Sequence, residues 1–316
     1  MLSYIPDKSD LEDAYARISG FIHNTPILSS EILNNRFGAK LFFKCENFQK
    51  AGSFKSRGAV NAILSLPKSN IKKGVATHSS GNFAQALARA ASILGVPSYI
   101  VMPKNAPKVK VDAVIAYGGK ITYCEPTLSA REETLDKVIS KTNATIIHPY
   151  DDYDIIAGQG TATMELCNEI DDIDIILCPV GGGGLISGTA LAANYFGNGI
   201  TVIACEPDGA DDAMRSFKAG KIIPSLKPDT IADGLLTSLG KRNFPIIQKY
   251  VSDIVTVSEE SIVMAMKLIY ERMKIVIEPS SAVPLASLIE KKVDVSGKNV
   301  GIIISGGNVD LAKVKF

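Results

Sequence analysis

Short apolar runs that resemble β-strands alternate with helix-like segments along almost the whole chain. The predicted strands are Leu41–Cys45, Val75–His78, Ser98–Met102, Lys120–Cys124, Thr145–His148, Ile173–Cys178, Thr201–Cys205 and Val300–Ile304. The predicted helices between them include Asn82–Leu94, Asp154–Ile170 and Ser258–Arg272. Strands that are joined through helices pair in parallel, and the helices cover both faces of the sheet. The alternation therefore predicts an α/β fold.

Two Ser-x-x-Glu pairs predict where helices begin. Ser9 with Glu12, and Ser129 with Glu132, each match a capping box, in which both side chains bond backbone N–H groups of the first turn. We therefore expect helices to start directly after Ser9 and Ser129.

A chain of 316 residues is long enough for about two domains. No low-complexity linker divides it, so the boundary has to come from topology. The block from Thr77 to Pro149 holds a complete set of strands and helices, punctuated by glycine and proline. This predicts a small domain of residues 77–149 inserted into a large domain of residues 1–76 and 150–316.

The charges of the chain nearly cancel, with 34 Lys and Arg against 33 Asp and Glu and a net charge of +1. This balance gives no basic surface for nucleic acid or for an anionic membrane. The uncharged stretch at residues 175–205 is long enough to span a bilayer, but Pro179 and four successive glycines fit a strand, a loop and a helix better. We predict a small-molecule ligand, with neither a nucleic-acid nor a membrane partner.

The cysteines and histidines argue against several kinds of protein site in this chain, namely a disulfide framework, a zinc site and a histidine-based triad. The five cysteines are odd in number and widely spaced, which favours reduced core thiols over a disulfide framework. The first ten residues lack the basic start and the apolar run of an export signal, so a cytoplasmic protein is predicted. Three scattered histidines offer little for a zinc site or for a histidine-based triad.

The loop Asn47–Gly58 leaves a predicted strand and enters a predicted helix, which places Lys55 near a helix N-terminus. The positive end of the helix dipole disfavours the ammonium form there and favours the neutral amine. A neutral amine is the form that reacts with a carbonyl group. Lys55 is therefore a candidate nucleophile, and the alternative is a solvated surface lysine.

Gly181, Gly182, Gly183 and Gly184 form a second candidate loop, after the apolar strand at Ile173–Cys178. Successive glycines let backbone N–H groups converge on an anion, and the N-terminus of the following helix adds positive potential. The run fits neither the dinucleotide-binding nor the P-loop pattern. We predict a phosphate-binding loop, and a purely structural tight turn is the alternative.

Two further loops, Ser79–Asn82 and Ser305–Asn308, also follow apolar strands. A simple helix cap explains the first equally well, and a tight turn explains the second. In open α/β sheets, however, ligands bind outside the carboxyl ends of the strands. We therefore expect all four loops to meet at one site.

Eight segments resemble the fold-type II enzymes that use pyridoxal 5′-phosphate (PLP), in particular the group of serine racemases and serine/threonine dehydratases. They are FFKCENFQKAGSFKSRGA (42–59), THSSGNFAQA (77–86), GQGT (158–161), GGGGLISG (181–188), EPDGADD (206–212), TIADG (230–234), ERMKIVIEP (271–279) and IISGGNVD (303–310). The resemblance runs through nearly the whole chain in order.

The resemblance implies a tryptophan synthase β-like fold, with two open parallel-sheet domains and the cofactor between them. Lys55 matches the lysine that holds PLP covalently, and Gly181–Gly184 match the phosphate loop. Asn82 matches the residue beside the phenolic oxygen of PLP, and Ser305 the partner of the pyridine nitrogen. A Ser hydroxyl does not hold that nitrogen protonated, so the ring should be a weaker electron sink.

Ser80 bears on the reaction type. Racemisation needs an acid/base group on each face of the substrate's Cα, and the resemblance assigns one face to Lys55 and the other to Ser80. In many threonine dehydratases the matching residue is Ala, so Ser80 favours a racemase site. β-Elimination needs only the Lys55 face and protonation of the leaving hydroxyl, so dehydratase activity should coexist.

Further substrate contacts are implied at Ser79, Gly81, Arg131 and Thr237. Arg131 matches an arginine near the substrate carboxylate, although it also reads as a solvent-facing residue in the first turn of a helix. Thr237 stands where serine racemases commonly have Ser, and Phe83 replaces the His of the usual SSGNH run. Both departures leave open the preference among serine, threonine and β-hydroxyaspartate.

The resemblance also implies two further ligands and an assembly. Glu206, Asp212 and the Ala210 carbonyl match the Mg²⁺ or Ca²⁺ site of the group; by spacing alone, these residues form an ordinary acidic loop. ATP would involve residues at the matching positions, although Glu31 stands where ATP-activated relatives have Ser. Those positions are Lys50, Lys274 and Asn308. A homodimer is expected on the same grounds.

Taken together, the sequence predicts a PLP-dependent serine racemase that also dehydrates serine and threonine. The alternatives are an L-threonine or β-hydroxyaspartate dehydratase without physiological racemase activity, and a non-catalytic binding protein of the same fold. Retention of Lys55 argues against the binding protein. A cysteine synthase or threonine synthase relative would share Lys55 and the glycine loop, but EPDGADD and TIADG argue against it.

Overall fold

The computed structural model describes residues 4–314. The helices are α1 (Lys8–Ile18), α2 (Glu31–Phe37), α3 (Lys55–Leu64), α4 (Lys68–Ile71), α5 (Asn82–Ile93), α6 (Lys108–Ala116), α7 (Leu128–Thr142), α8 (Tyr153–Glu169), α9 (Gly184–Phe196), α10 (Asp212–Ala219), α11 (Asn243–Tyr250), α12 (Glu259–Met273) and α13 (Pro279–Ile289). The strands are β1 (Ile27–Leu28), β2 (Lys40–Cys45), β3 (Val75–His78), β4 (Ser98–Pro103), β5 (Lys120–Cys124), β6 (Thr145–Ile146), β7 (Ile175–Pro179), β8 (Thr201–Pro207), β9 (Asp253–Val257) and β10 (Asn299–Ile304). The predicted α/β class is confirmed.

The strands form two separate sheets. One has six strands in the order β1-β2-β10-β7-β8-β9, and the other has four in the order β5-β4-β3-β6. Every neighbouring pair is parallel except β1 with β2. All five residues of β7 are buried, as expected for a strand that helices cover on both faces.

The four-stranded sheet comes from one continuous stretch of chain, from β3 to β6. The six-stranded sheet takes strands from before and after that stretch. This arrangement fits an inserted small domain. The boundaries at residues 77 and 149 stay a prediction.

Both predicted capping boxes are wrong by two residues. Helix α1 is capped by Asp7, whose side chain accepts from the Asp10 N–H, while the Asp10 carboxylate accepts from the Asp7 N–H. Helix α7 is capped by Thr127, whose hydroxyl accepts from the Ala130 N–H at 3.2 Å. In each helix an equally good capping residue precedes the predicted serine and adopts the extended backbone that a cap requires, so the helix starts earlier.

The cysteines, the N-terminus and the uncharged stretch can also be compared with the structure. All five cysteines are free, and four of them are buried, which fits the prediction of core thiols. The residues 1–3 that entered the export-signal prediction lie outside the described residues. No helix within residues 4–314 has both the length and the apolar composition needed to cross a bilayer.

Candidate active site

One cavity of about 170 Å³ lies at the carboxyl ends of β3, β7 and β10 and is lined by loops from both sheets. All of the residues predicted to touch cofactor or substrate line it: Lys55, Ser79, Ser80, Gly81, Asn82, Arg131, Gly181, Gly182, Gly183, Gly184, Thr237 and Ser305. The four loops therefore meet at one cavity, as expected for loops at the carboxyl ends of parallel strands. The role of each residue stays a prediction.

Lys55 is the first residue of α3 and lies on the cavity wall. Its Nζ donates to the Pro149 carbonyl at 2.8 Å and lies 4.9 Å and 5.7 Å from the ring centres of Phe54 and Phe83. Burial lowers the pKa of Lys55 to about 8, and the Glu278 carboxylate opposes this shift. At neutral pH roughly one molecule in ten then carries the neutral amine, against about one in several thousand for an ordinary lysine.

The glycine loop joins the end of β7 to the start of α9 and turns its backbone towards the cavity. A Cβ at Gly181 would lie 2.9 Å from the Leu235 Cα, and one at Gly182 would lie 2.5 Å from the Tyr150 ring. Gly183 has φ +98°, which other residues rarely adopt. Because no side chain fits at these positions, the N–H groups at the start of α9 are left accessible to an anion.

The loop after β3 carries Ser79, Ser80 and Gly81 to the cavity and ends at Asn82, the first residue of α5. The Asn82 amide donates to both carboxylate oxygens of Glu278, at 2.8 and 2.9 Å. Ser80 makes no hydrogen bond within residues 4–314, so its hydroxyl is available to a ligand.

Ser305 follows β10 and is almost fully buried at the base of the cavity. Its hydroxyl lies 2.9 Å from that of Ser281, which in turn bonds the backbone of Gly306. The hydrogen-bond partner of Ser305 is therefore another neutral hydroxyl. Such a pair can bond a pyridine nitrogen but does not hold a proton on it.

Glu278 is a cavity residue that the sequence analysis did not single out, although it lies in the quoted ERMKIVIEP segment. Burial raises the pKa of its carboxyl to about 7, an effect that the Lys110 ammonium opposes. Lys110 also lines the cavity and forms an ion pair of 2.5 Å with Asp233. This acid could not be recognised from the sequence, because its partners come from segments far away in the chain.

Tyr150 is a second residue that was missed. Its ring packs on Gly182 and stands edge-on to His148, with 4.6 Å between ring centres. Burial raises the pKa of the Tyr150 phenol, and the nearby Thr237 hydroxyl opposes that shift. The aromatic pattern before α8 could have suggested a cavity wall, but not its contact with the glycine loop.

Arg131 lies on the cavity wall rather than facing solvent. Its Nε is buried without a hydrogen-bond partner, and no acidic side chain pairs with its guanidinium, within the described part of the chain. Phe83 is buried in the core beside the cavity, where it presents an apolar ring to Lys55 in place of an imidazole. An unpaired guanidinium on the wall of a cavity suits an anionic ligand group.

The three predicted metal ligands lie outside the cavity: Glu206 is the next-to-last residue of β8, and Ala210 and Asp212 follow the strand. The Glu206 carboxylate accepts from the N–H groups of Ala213 and Met214, each at 3.0 Å. Both carboxylate oxygens of Asp212 are buried without a hydrogen-bond partner among residues 4–314. Burial raises the pKa of Glu206 to about 9 and that of Asp212 to about 6.

Two neighbouring buried acids that form no ion pair within residues 4–314 suit a divalent cation, because buried charges are ordinarily paired or bound to metal. No third His, Cys, Asp or Glu completes the set within the described residues. The other ligands would therefore be carbonyls, such as that of Ala210, and water.

Within residues 4–314, the predicted ATP residues do not line either of the two main cavities together. The Asn308 amide donates to the Ala51 carbonyl at 2.8 Å, which brings it next to Lys50. The Lys274 ammonium donates instead to the Glu271 carbonyl of its own helix. Of the three, only Asn308 lines a second cavity, of about 440 Å³.

Comparison with known proteins defines the class. Residues 18–306 match the family described as pyridoxal-phosphate dependent enzymes, and the chain belongs to that family. The recognition of a fold-type II PLP enzyme and of its parallel-sheet fold is therefore confirmed.

Among individual relatives, the chain is 51% identical to a β-hydroxyaspartate dehydratase of Paracoccus denitrificans (strain Pd 1222) over 313 residues, 99% of each protein. It is also 51% identical to a serine racemase of Arabidopsis thaliana over 316 residues, 98% of this chain and 96% of the relative. The solved serine racemase of Dictyostelium discoideum superposes with a TM-score of 0.92 at 48% identity, covering 96% of this chain and 99% of the other. The relatives thus include both a racemase and a dehydratase.

Proposed function

We propose that the chain is a PLP-dependent serine racemase that also dehydrates serine and threonine, acting on small β-hydroxy amino acids. The observation that carries the proposal is the common cavity of Lys55, Ser80 and the glycine loop. Two candidate acid/base groups and an anion-binding loop in one cavity are what racemisation with this cofactor requires. Relatives that are named as serine racemases at 45–51% identity support the same activity.

The residues present fit the cofactor. The loop Gly181–Gly184 offers backbone N–H groups for the phosphate, and Lys55 has a depressed pKa suited to holding the aldehyde. Ser305 would offer a neutral hydroxyl to the pyridine nitrogen, and Asn82, whose amide donates to Glu278, would bond the phenolic oxygen. When bound, PLP withdraws electrons from the substrate's Cα and makes its proton acidic.

The chain's own groups then move the protons. The Lys55 amine takes the Cα proton on one face, and Ser80 returns a proton on the other in racemisation. Elimination instead needs a proton for the departing β-hydroxyl, which the phosphate that Gly181–Gly184 would hold could supply. The Ser79–Gly81 loop binds the α-carboxylate through its hydroxyls and N–H groups.

The second candidate is a dehydratase of β-hydroxyaspartate or L-threonine without physiological racemase activity. One observation favours β-hydroxyaspartate: the unpaired Arg131 guanidinium on the cavity wall suits a second carboxylate. The relative named as a β-hydroxyaspartate dehydratase is as similar as the plant racemase. A non-catalytic binding protein would have no use for an amine whose pKa is lowered to about 8.

A substrate panel tests the proposal. The purified protein is incubated with L-serine, D-serine, L-threonine and β-hydroxyaspartate, and both the oxoacid and the opposite enantiomer are measured. We expect D-serine and pyruvate from L-serine. Oxoacid without any enantiomer would support the dehydratase, and no product from any of the four would contradict both candidates.

A divalent cation is the second part of the proposal, with Glu206, Asp212 and the Ala210 carbonyl as ligands. Binding to the native state alone raises the unfolding free energy by RT ln(1 + [M]/Kd). We therefore expect the melting temperature to rise with the concentration of Mg²⁺ or Ca²⁺. Scanning calorimetry of the EDTA-treated protein measures this.

The matched variants for this test are Asp212→Asn and Asp208→Asn. Asp212 is buried, while Asp208 is an exposed acid of the same loop. The first should lose the metal-dependent rise and the second should keep it. An equal rise in both variants would place the cation elsewhere.

Assembly, location and nucleotide complete the proposal. A cytoplasmic homodimer is proposed from the resemblance, and the free cysteines are compatible with a reducing compartment. By the resemblance, ATP would bind through Lys50, Lys274 and Asn308. Lys274, however, donates to the Glu271 carbonyl of α12 and does not line the second cavity with Asn308.

A further inference from the structure

The GQGT segment lies outside the candidate active site, since none of its residues lines the cavity. Residues 158–161 belong to α8, which packs between two helices that begin at the site. One is α3, which begins at Lys55, and the other is α9, which begins at Gly184 of the glycine loop. Helix α8 thus connects the two groups that anchor the cofactor.

On the α3 side, the helices meet backbone to backbone. A Cβ at Gly158 would lie 2.7 Å from the Gly58 Cα and 3.0 Å from the Asn61 Cβ. A Cβ at Gly58 would lie 2.9 Å from the Ile155 carbonyl oxygen. Real Cβ contacts are not this short, so any side chain here would force the two helices apart.

The α9 side repeats this close approach. A Cβ at Gly188 would lie 2.5 Å from the Gly160 nitrogen and 2.6 Å from the Ile156 carbonyl oxygen. A Cβ at Gly160 would lie 2.9 Å from the Gly188 carbonyl oxygen. The distance between α3 and α9 is therefore set by the two close contacts of α8, one with each helix. Backbone atoms meet at both contacts and cannot move aside as a flexible side chain could.

A buried ion network also fixes α3 on α8. Arg57, two residues after Lys55, donates to both Glu165 oxygens at 2.7 Å and to Glu46 at 2.7 and 2.8 Å. It also donates to the Thr161 hydroxyl of the GQGT segment at 3.1 Å. A planar guanidinium held on two sides cannot turn without breaking charged hydrogen bonds, so α3 neither rotates nor slides on α8.

We propose that α8 is a preformed spacer that fixes the distance between the Lys55 amine and the Gly181–Gly184 loop, with Gly158 and Gly160 as positioning residues. This inference rests on the proposed function, in which those two groups hold opposite ends of PLP. A ligand held at two points gains on the order of 10²–10⁴-fold in affinity only when the two sites match its length. The spacer supplies that match before the cofactor arrives.

The first test uses the wild-type chain and hydrogen exchange. Apoprotein is prepared with hydroxylamine, and exchange is compared before and after PLP is added. We expect the α8 amides to be strongly protected in both states, because the spacer is preformed. Rapid exchange of α8 in the apoprotein, with protection gained on PLP binding, would overturn the inference.

The second test separates spacing from stability by using fragments of the cofactor. Affinities of the apoprotein for PLP, pyridoxal and inorganic phosphate are measured for Gly158→Ala and Gly160→Ala. Gly20→Ala is the control, because a Cβ there meets no atom within 4 Å. Borohydride trapping with mass spectrometry reports pyridoxal and PLP on the lysine, and thermal shift reports phosphate.

We expect PLP affinity to fall about tenfold or more in both helix variants, while the pyridoxal and phosphate affinities stay within about twofold. A purely structural role would weaken all three ligands together, and unchanged PLP affinity would also contradict the spacer. Failure of the proposed function looks different: the wild-type protein itself would then bind PLP no better than pyridoxal.

Discussion

Lys55→Ala should leave a colourless protein that turns over none of the four amino acids of the panel. Under the proposed function, the substitution removes both the amine that holds the cofactor and the base that takes the Cα proton. Loss of the base alone costs about 10²–10⁴-fold in rate, and loss of the covalent attachment adds to it. Absorbance of the purified protein, borohydride trapping with mass spectrometry, and assays of oxoacid and enantiomer measure both losses.

Lys110 is the other lysine on the cavity wall, but its ammonium is held by Asp233 at 2.5 Å and is a poor substitute. The matched control is Lys68→Ala, which removes the same charge at an exposed position on α4. It should keep its colour and its activity. A trapped adduct and normal turnover in Lys55→Ala would contradict the assignment of this lysine.

The fold was largely predictable because most of its strands are buried on both faces. Val75–His78 and Lys120–Cys124 were predicted with their bounds as observed, since each is a short run between clear helix or turn signals. Strand β9, Asp253–Val257, was missed, although its sequence DIVTV is no less strand-like than that of the correctly predicted edge strand Lys120–Cys124. The predicted strand at Thr145–His148 ends at Ile146, three residues before Pro149, which lines the cavity.

The site was predictable where one loop contains its own chemistry. Lys55 and the glycine loop can be recognised from their residue types alone, and the parallel topology predicts that they lie at one site. Glu278 and Tyr150 were not predictable in this way, because each acquires its surroundings from segments more than thirty residues away, such as Asn82 and Gly182. Contacts of that kind exist only in the folded chain.

The role of the GQGT segment likewise depends on contacts that exist only in the folded chain. Its glycines carry no chemistry of their own, and the sequence analysis could use them only as part of a resemblance. In the structure, Gly158 and Gly160 are points where α8 meets α3 and α9 with no room for a side chain. In the proposal above, the small size of these glycines sets the distance between Lys55 and the Gly181–Gly184 loop.

Ser80→Ala tests which reaction the site performs. In the proposed mechanism Lys55 and Ser80 act on opposite faces of the substrate, so the variant loses the Ser80 hydroxyl on one face and keeps the Lys55 amine and the glycine loop. Racemisation of L-serine should fall by about 10²–10⁴-fold, the usual contribution of one acid/base group. Pyruvate formation from L-serine should change little, because Lys55 still removes its Cα proton.

D-Serine supplies the internal control for this variant, because it presents its Cα proton to the face that Ser80→Ala has emptied. We expect pyruvate formation from D-serine to be lost together with racemisation, while the same protein still dehydrates L-serine. Measuring pyruvate from each enantiomer, and D-serine formed from L-serine, separates the two faces within one preparation. Equal loss of all three would mean that Ser80 only shapes the loop or binds the carboxylate, and the chain would then be a dehydratase whose single acid/base group is Lys55.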